Sequence, residues 1–312
     1  MRASVDQWDP SYGQSFDGEP ADTTVDVDLS FELALADWHP ITPTALGDRP
    51  TVVFVDGVRR VEARLWIGSD RGELADPAIA ASWAAGAVVC RPGRAERGPQ
   101  IVSRGLFTAS THATDLDTAH GLFARHRTAS GNPEVLTNSM QQAMARDEVE
   151  VSAVVRAQFP GSLLVVDGPL RDRDNLADAV GLIKTHHRSY LDGVAGVVLA
   201  ALGPGQRTPL VTIGTTWARH SWYLRLDAGR SVPLAGVVRF ETSAALSGLE
   251  ATALADRVSA IIPMFRSEAH KDSRAPQNLY PIGGLERDLR HRLGDPKLIY
   301  RGLRAACLPN AR

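Results

Sequence analysis

Two apolar runs in this chain end in the same dipeptide: Thr51-Val-Val-Phe-Val-Asp56-Gly57 and Ser162-Leu-Leu-Val-Val-Asp167-Gly168. Each run is continuously β-branched or aliphatic, the pattern of a strand buried on both faces, and Asp-Gly reads as the turn that closes it. Each strand therefore carries a carboxylate to its C-terminal end. Two such ends side by side place two acids close together. That arrangement is costly unless a cation lies between them. The pattern implies a divalent-metal site suited to phosphodiester chemistry.

The rest of the sequence constrains the setting of that site. At 312 residues the chain has room for one large core or two modest ones, and 44% apolar with 22% charged residues is ordinary for a globular protein. Two cysteines, Cys90 and Cys307, fit a reducing compartment and form no metal-binding spacing. The longest apolar run, Val194 to Leu202, is too short to span a bilayer, and the first residues lack a basic and apolar leader. The expected location is the cytoplasm, with no membrane partner. The net charge of −2 rules out a global basic field, but cations cluster at Arg59-Arg60 with Arg64, Arg91 to Arg104, Lys184 to Arg188 and Arg287 to Arg304. Such clusters suit a phosphate-binding groove or, equally, solvated faces balanced by nearby acids.

Along the chain, residues 1–25 are rich in Asp, Gly, Ser and Pro and are expected to be a mobile tail. Residues 26–312 are expected to form one domain. Strands are expected at 51–56, 60–67 (the return arm of a hairpin) and 101–107, with a loop over 91–99. A helix near Asn132-Pro133 and a longer one over 137–158 precede the second Asp-Gly strand. Ala179 to Lys184 reads as a strand and Val194 to Leu202 as a helix. Strands follow at 209–214, 222–226 and 236–241, then helices at 249–262 and 284–293. The class is α/β, a mixed sheet flanked by helices.

Two acids do not complete a metal centre. In the long helix, Met140, Met144, Val151 and Val155 form one stripe at 100° per residue; Glu148 falls inside it, Asp147 at its edge and Glu150 about a third of a turn away. A carboxylate amid apolar residues needs a partner, either a metal or an arginine where helix meets sheet. Glu148 is the choice for third ligand. In the last helix Glu286 and Asp288 both flank the stripe of Leu285, Leu289 and Leu293, and geometry alone does not choose between them. Both also suit pairing with Arg290 and Arg292.

Strand acid, antiparallel hairpin, helix glutamate, strand acid and terminal-helix acid, in that order, resemble the ribonuclease H-like fold. Longer motifs sharpen this. Leu164-Val-Val-Asp-Gly-Pro-Leu170, Val180-Gly-Leu-Ile-Lys184, Gly205-Gln-Arg-Thr-Pro-Leu210, Trp222-Tyr-Leu-Arg-Leu226, Gly236-Val-Val-Arg-Phe-Glu241 and Pro276-Gln-Asn-Leu-Tyr-Pro-Ile282 resemble the NurA nuclease family. The similarity spans roughly residues 50–300. It implies a ribonuclease H-like mixed sheet with the extra strands and helices typical of NurA. It also implies a manganese- or magnesium-dependent DNA nuclease, acting on single strands and ends in end resection, of 5′–3′ exonuclease and single-strand endonuclease type. A homodimer working with the hexameric HerA ATPase is implied as well. Carried across by motif, the metal ligands fall on Asp56, Glu148, Asp167 and Asp288. The sequence departs from the family at Tyr-Pro-Ile-Gly-Gly, which leaves the register of Asp288 open by a residue or two.

Such a set of carboxylates suits hard, oxygen-preferring cations and an in-line displacement that needs no protein nucleophile. Lys184 is expected to neutralise the scissile phosphate. His186 and His187 suit either substrate contact or a strand end, and Arg207 and Arg225 suit either phosphate or structural acids. Trp217, Trp222 and Tyr223 invite base stacking, although such residues in a strand more often face a core. Two other readings stay open. One is a catalytically silent ribonuclease H-like partner of a translocating ATPase that binds DNA. The other is glycoside hydrolysis by paired carboxylates, which leaves the basic clusters without a role.

Overall fold

A computed structural model describes residues 25–44, 49–68, 75–185, 190–214, 217–227 and 234–307. The expected tail lies outside these residues except for Val25. In chain order the strands and helices are β1 Asp26–Asp28, β2 Val52–Ile67, β3 Asp76–Arg91, β4 Arg94–Thr108, β5 Leu116–Thr118, β6 Gly121–Arg127, α1 Pro133–Gln158, β7 Leu163–Asp167, β8 Ala179–Ile183, α2 Gly193–Ala201, β9 Val211–Gly214, β10 Ala218–Arg225, β11 Val237–Ser243, α3 Gly248–Ile261, α4 Tyr280–Arg292 and α5 Pro296–Cys307. No described helix is long and apolar enough to cross a membrane.

The chain divides into two compact units. One comprises the described residues through Phe54, with Val88–Arg97 and Arg156–Gly283; the other comprises Val55–Ala87, Gly98–Val155 and the described residues from Gly284. In the first, the strands run in the order β1-β9-β10-β11-β8-β7, followed by the first residues of β2. The pairs β1·β9, β9·β10, β10·β11 and β11·β8 are antiparallel, and β7·β8 is parallel with Asp167 opposite Leu182. The period of two divides the side chains between two cores. Trp222, Leu224, Val238 and Phe240 pack with Ala251, Leu254, Ala255 and Val258 of α3, while Tyr223, Val237, Val211 and Ile213 pack with Ala195, Val198 and Leu199 of α2.

In the second unit the order is β2-β3-β4-β6-β5, with β4·β6 parallel and β5·β6 antiparallel. Here β3 faces helices on both sides. Ile79, Ala81 and Trp83 meet Leu136, Met140, Ala143 and Met144 of α1, whereas Ala78 and Ala80 meet Ile299 and Leu303 of α5. Small side chains let both helices approach.

Two expectations are corrected, and two elements are added. The first Asp-Gly closes nothing: β2 runs on through Gly57 for 16 residues and absorbs the expected hairpin arm. Residues 91–99 form a tight hairpin, with Gly93 at φ +79 and β4 starting at Arg94. The whole of β3 was not foreseen. Neither was α5, whose apolar Ile299, Gly302 and Leu303 are buried.

Candidate metal centre

In the first unit, Asp167 is the last residue of β7 and Gly168 turns the chain at φ +103, a conformation glycine adopts without strain. The turn is pinned by Gly168 N donating to Leu182 O at 2.9 Å and Leu170 N donating to the Glu241 carboxylate at 2.8 Å. Gly181 of β8 is required by this turn, because a Cβ there would lie 2.7 Å from Gly168 O and from Leu170 N. Lys184, just past β8, donates from Nζ to Asp167 Oδ2 at 2.5 Å and to Asn278 Oδ1 at 2.9 Å. The sequence brought Lys184 and Asp167 to notice separately, and the fold makes them an ion pair. The side chains are only 11% and 14% exposed, which strengthens the attraction.

In the second unit, Asp56 is buried in β2 and its Oδ1 accepts from the Gly57 amide at 2.7 Å. Glu148 is buried on the core-facing side of α1, as the helical stripe requires. It lies directly over Gly57: a Cβ there would sit 2.3 Å from Glu148 Oε1 and 3.1 Å from Met144. The carboxylate thus reaches the backbone beside Asp56 because residue 57 has no side chain. The Arg59 guanidinium, nearby on β2, interacts electrostatically with Glu148.

On α4, Glu286 is buried and pairs with Arg290 at 3.2 Å. Asp288 is more open; it accepts from Gln100 at 3.0 Å and pairs with Arg292 at 3.2 Å. Asp147, at the stripe's edge, accepts from Trp83 Nε1 and Ser103 Oγ, each at 2.8 Å, and so supports the core.

No protein-family model matches the sequence, and no curated protein does. Among solved structures it is similar to the crystal structure of the NurA nuclease from Sulfolobus solfataricus, at 10% identity over 88% of this chain and 91% of that one, with a TM-score of 0.47.

Several residues that suited either substrate or structure are structural. Arg207 is buried, pairs with both oxygens of Glu32 at 2.7 and 2.8 Å, and also pairs with Asp256. Arg225 is buried and donates to Ala235 O at 2.8 Å. Trp222 is stacked on Phe240 in the core and donates to Ser259, and Tyr223 is buried on the opposite face. Trp217 carries the Arg219 guanidinium 4.9 Å above its ring. His186 and His187 lie outside the described residues. Asn278 is the residue that sequence reasoning passed over: it lies in the quoted Pro276-Gln-Asn motif, but nothing in that motif signals a contact with Lys184.

Among the described residues, the donors gathered in each unit are carboxylate and amide oxygens. That chemistry fits a hard divalent cation such as Mn²⁺ or Mg²⁺.

Proposed function

We propose that this protein is a divalent-metal-dependent DNA nuclease that hydrolyses phosphodiester bonds, acting on single strands and ends. One observation carries the reading: a carboxylate oxygen of Asp56 lies within 4.8 Å of one of Glu286 in the same compact unit. Like charges at that spacing repel by about 1 kcal/mol per pair even in water and by more when partly buried. A cation removes that cost. The proposed ligands are Asp56, Asp167 and Glu286, with Glu148 adding a fourth carboxylate beside Asp56. Glu286 takes the last-helix position in place of Asp288, whose carboxylate Gln100 and Arg292 hold. Mn²⁺ or Mg²⁺, when bound, supplies Lewis-acid polarisation of a phosphoryl oxygen. The chain itself contributes the Lys184 ammonium at Asp167, which attracts and orients a phosphate beside the acids. A homodimer and a HerA-like ATPase complete the proposal, the ATPase as the source of the DNA affinity that a net charge of −2 does not supply.

End-labelled single-stranded DNA incubated with Mn²⁺, Mg²⁺ or EDTA tests this, comparing wild type with Asp56→Ala and Asp167→Ala. The expected outcome is metal-dependent digestion that falls by about a thousandfold or more in either variant. Losing several kcal/mol of charge stabilisation, at 1.36 kcal/mol per tenfold, gives that size. Activity surviving both substitutions would reject the site. A silent DNA-binding partner is the second reading, favoured by one observation: Asp167 and Glu286 already face Lys184 and Arg290. Strand binding with no digestion under any metal, with or without an ATPase, would favour it.

A further inference from the structure

Two consecutive residues of one loop hold both ends of Lys184. Gln277 Nε2 donates to the Lys184 main-chain carbonyl at 3.1 Å and to Val237 O at 2.9 Å, fixing the backbone where β8 ends. Asn278 Oδ1 accepts from Lys184 Nζ at 2.9 Å. Asn278 is fully buried, and its Nδ2 donates to Asp272 Oδ2 at 2.7 Å. These partners leave the amide one orientation, since a carboxylate only accepts and an ammonium only donates. Asp272 is fixed in turn: its Oδ1 accepts from the Arg274 backbone at 2.8 Å and from Arg274 Nε at 3.3 Å. Burial raises the Asp272 carboxyl pKa, but the hydrogen bonds from Asn278 and Arg274 outweigh it and hold the group below its ordinary value. The result is a directed chain from Asp272 through Asn278 to Lys184 and on to Asp167, all within one unit.

A lysine ammonium on four methylenes has many rotamers, and holding it in one place costs about 2 kcal/mol of side-chain entropy. The loop supplies that constraint. We infer that Asn278, oriented by Asp272, is a positioning residue that fixes the Lys184 ammonium against Asp167 for the reaction on phosphate. The inference rests on the nuclease reading for its reaction, but the clamp itself is measurable without it.

Asn278→Leu keeps the volume and removes the acceptor. With Mn²⁺ and a labelled oligonucleotide, kcat is expected to fall by about 10–100-fold with KM little changed, the usual scale for losing a group that orients a ligating or reacting one. Lys184→Met should fall similarly, and the double variant should be no worse than Lys184→Met alone. Losses that multiply, or an Asn278→Leu enzyme with unchanged kcat, would overturn the inference. Urea unfolding of the same four proteins gives a second readout. Destabilisations that fail to add uphold the clamp, and strictly additive ones overturn it. Wild-type protein that cleaves no DNA would remove the nuclease reading, and the unfolding cycle would then decide the clamp on its own.

Discussion

At Gly57 an added methyl group would meet Glu148 and Met144, neither of which can move without disturbing a buried carboxylate or the α1 core. Gly57→Ala is therefore expected to cost about 1–3 kcal/mol by overpacking, read as a lower urea midpoint, and to lower cleavage by displacing Glu148. The sequence marked this glycine correctly but for the wrong reason. Asp-Gly is a turn signal because glycine tolerates positive φ, and Gly168 uses that freedom while Gly57 uses only its missing side chain. Cys90 gives a prediction of another kind. It is buried, and burial pushes its thiol up to about 11 from the ordinary 9.0. A group that holds its proton more tightly when folded contributes stability that is complete below pH 9 and is lost as the pH rises to about 11. Two pH units correspond to a loss on the order of 3 kcal/mol. Across pH 8–11 the unfolding free energy of wild type should therefore fall more steeply than that of Cys90→Ala.

At the level of elements, the helices were the most legible. α3 begins with a reciprocal capping box: Ser247 Oγ accepts from Glu250 N, and the Glu250 carboxylate accepts from Ser247 N at 2.9 Å. Ser247→Ala should lower stability by about 1 kcal/mol, measured by urea denaturation. Strand β3 was the least legible. Its Ala-Ile-Ala-Ala-Ser-Trp-Ala-Ala-Gly-Ala core carries helix propensity, and its alternation is hidden because both faces are buried. The alanines are there for α1 and α5. At Gly86 the fit is tighter still: a Cβ would lie 2.9 Å from Leu289 of α4 and 3.0 Å from Gln100. The Pro, Gly and Arg content of the basic stretch 91–99 reads as a loop. Two residues of turn sufficed, and the arginines around them stand on strands, with Arg91 paired to Glu96 at 2.6 Å.

On the scale of the whole molecule, β2, β3 and β4 each contribute residues to both compact units, so the polypeptide passes between them within strands. A cation bound by the folded protein and not by the unfolded chain adds RT ln(1 + [L]/Kd), about 2.7 kcal/mol at a hundredfold excess over Kd. Thermal unfolding should thus shift upward with Mn²⁺ in wild type and far less in Asp167→Asn. Equal shifts in the two proteins would place the ion elsewhere. The α/β class, the buried strands ending in or passing through Asp56 and Asp167, and the inward face of Glu148 are legible in the sequence, because periodicity and apolar runs are local properties. Long-range packing is what makes Gly57 leave room for Glu148, brings Asn278 to Lys184 and sets Gln100 against Asp288. Those are contacts between residues tens to hundreds of positions apart, and no local pattern encodes which polar groups burial will bring into reach.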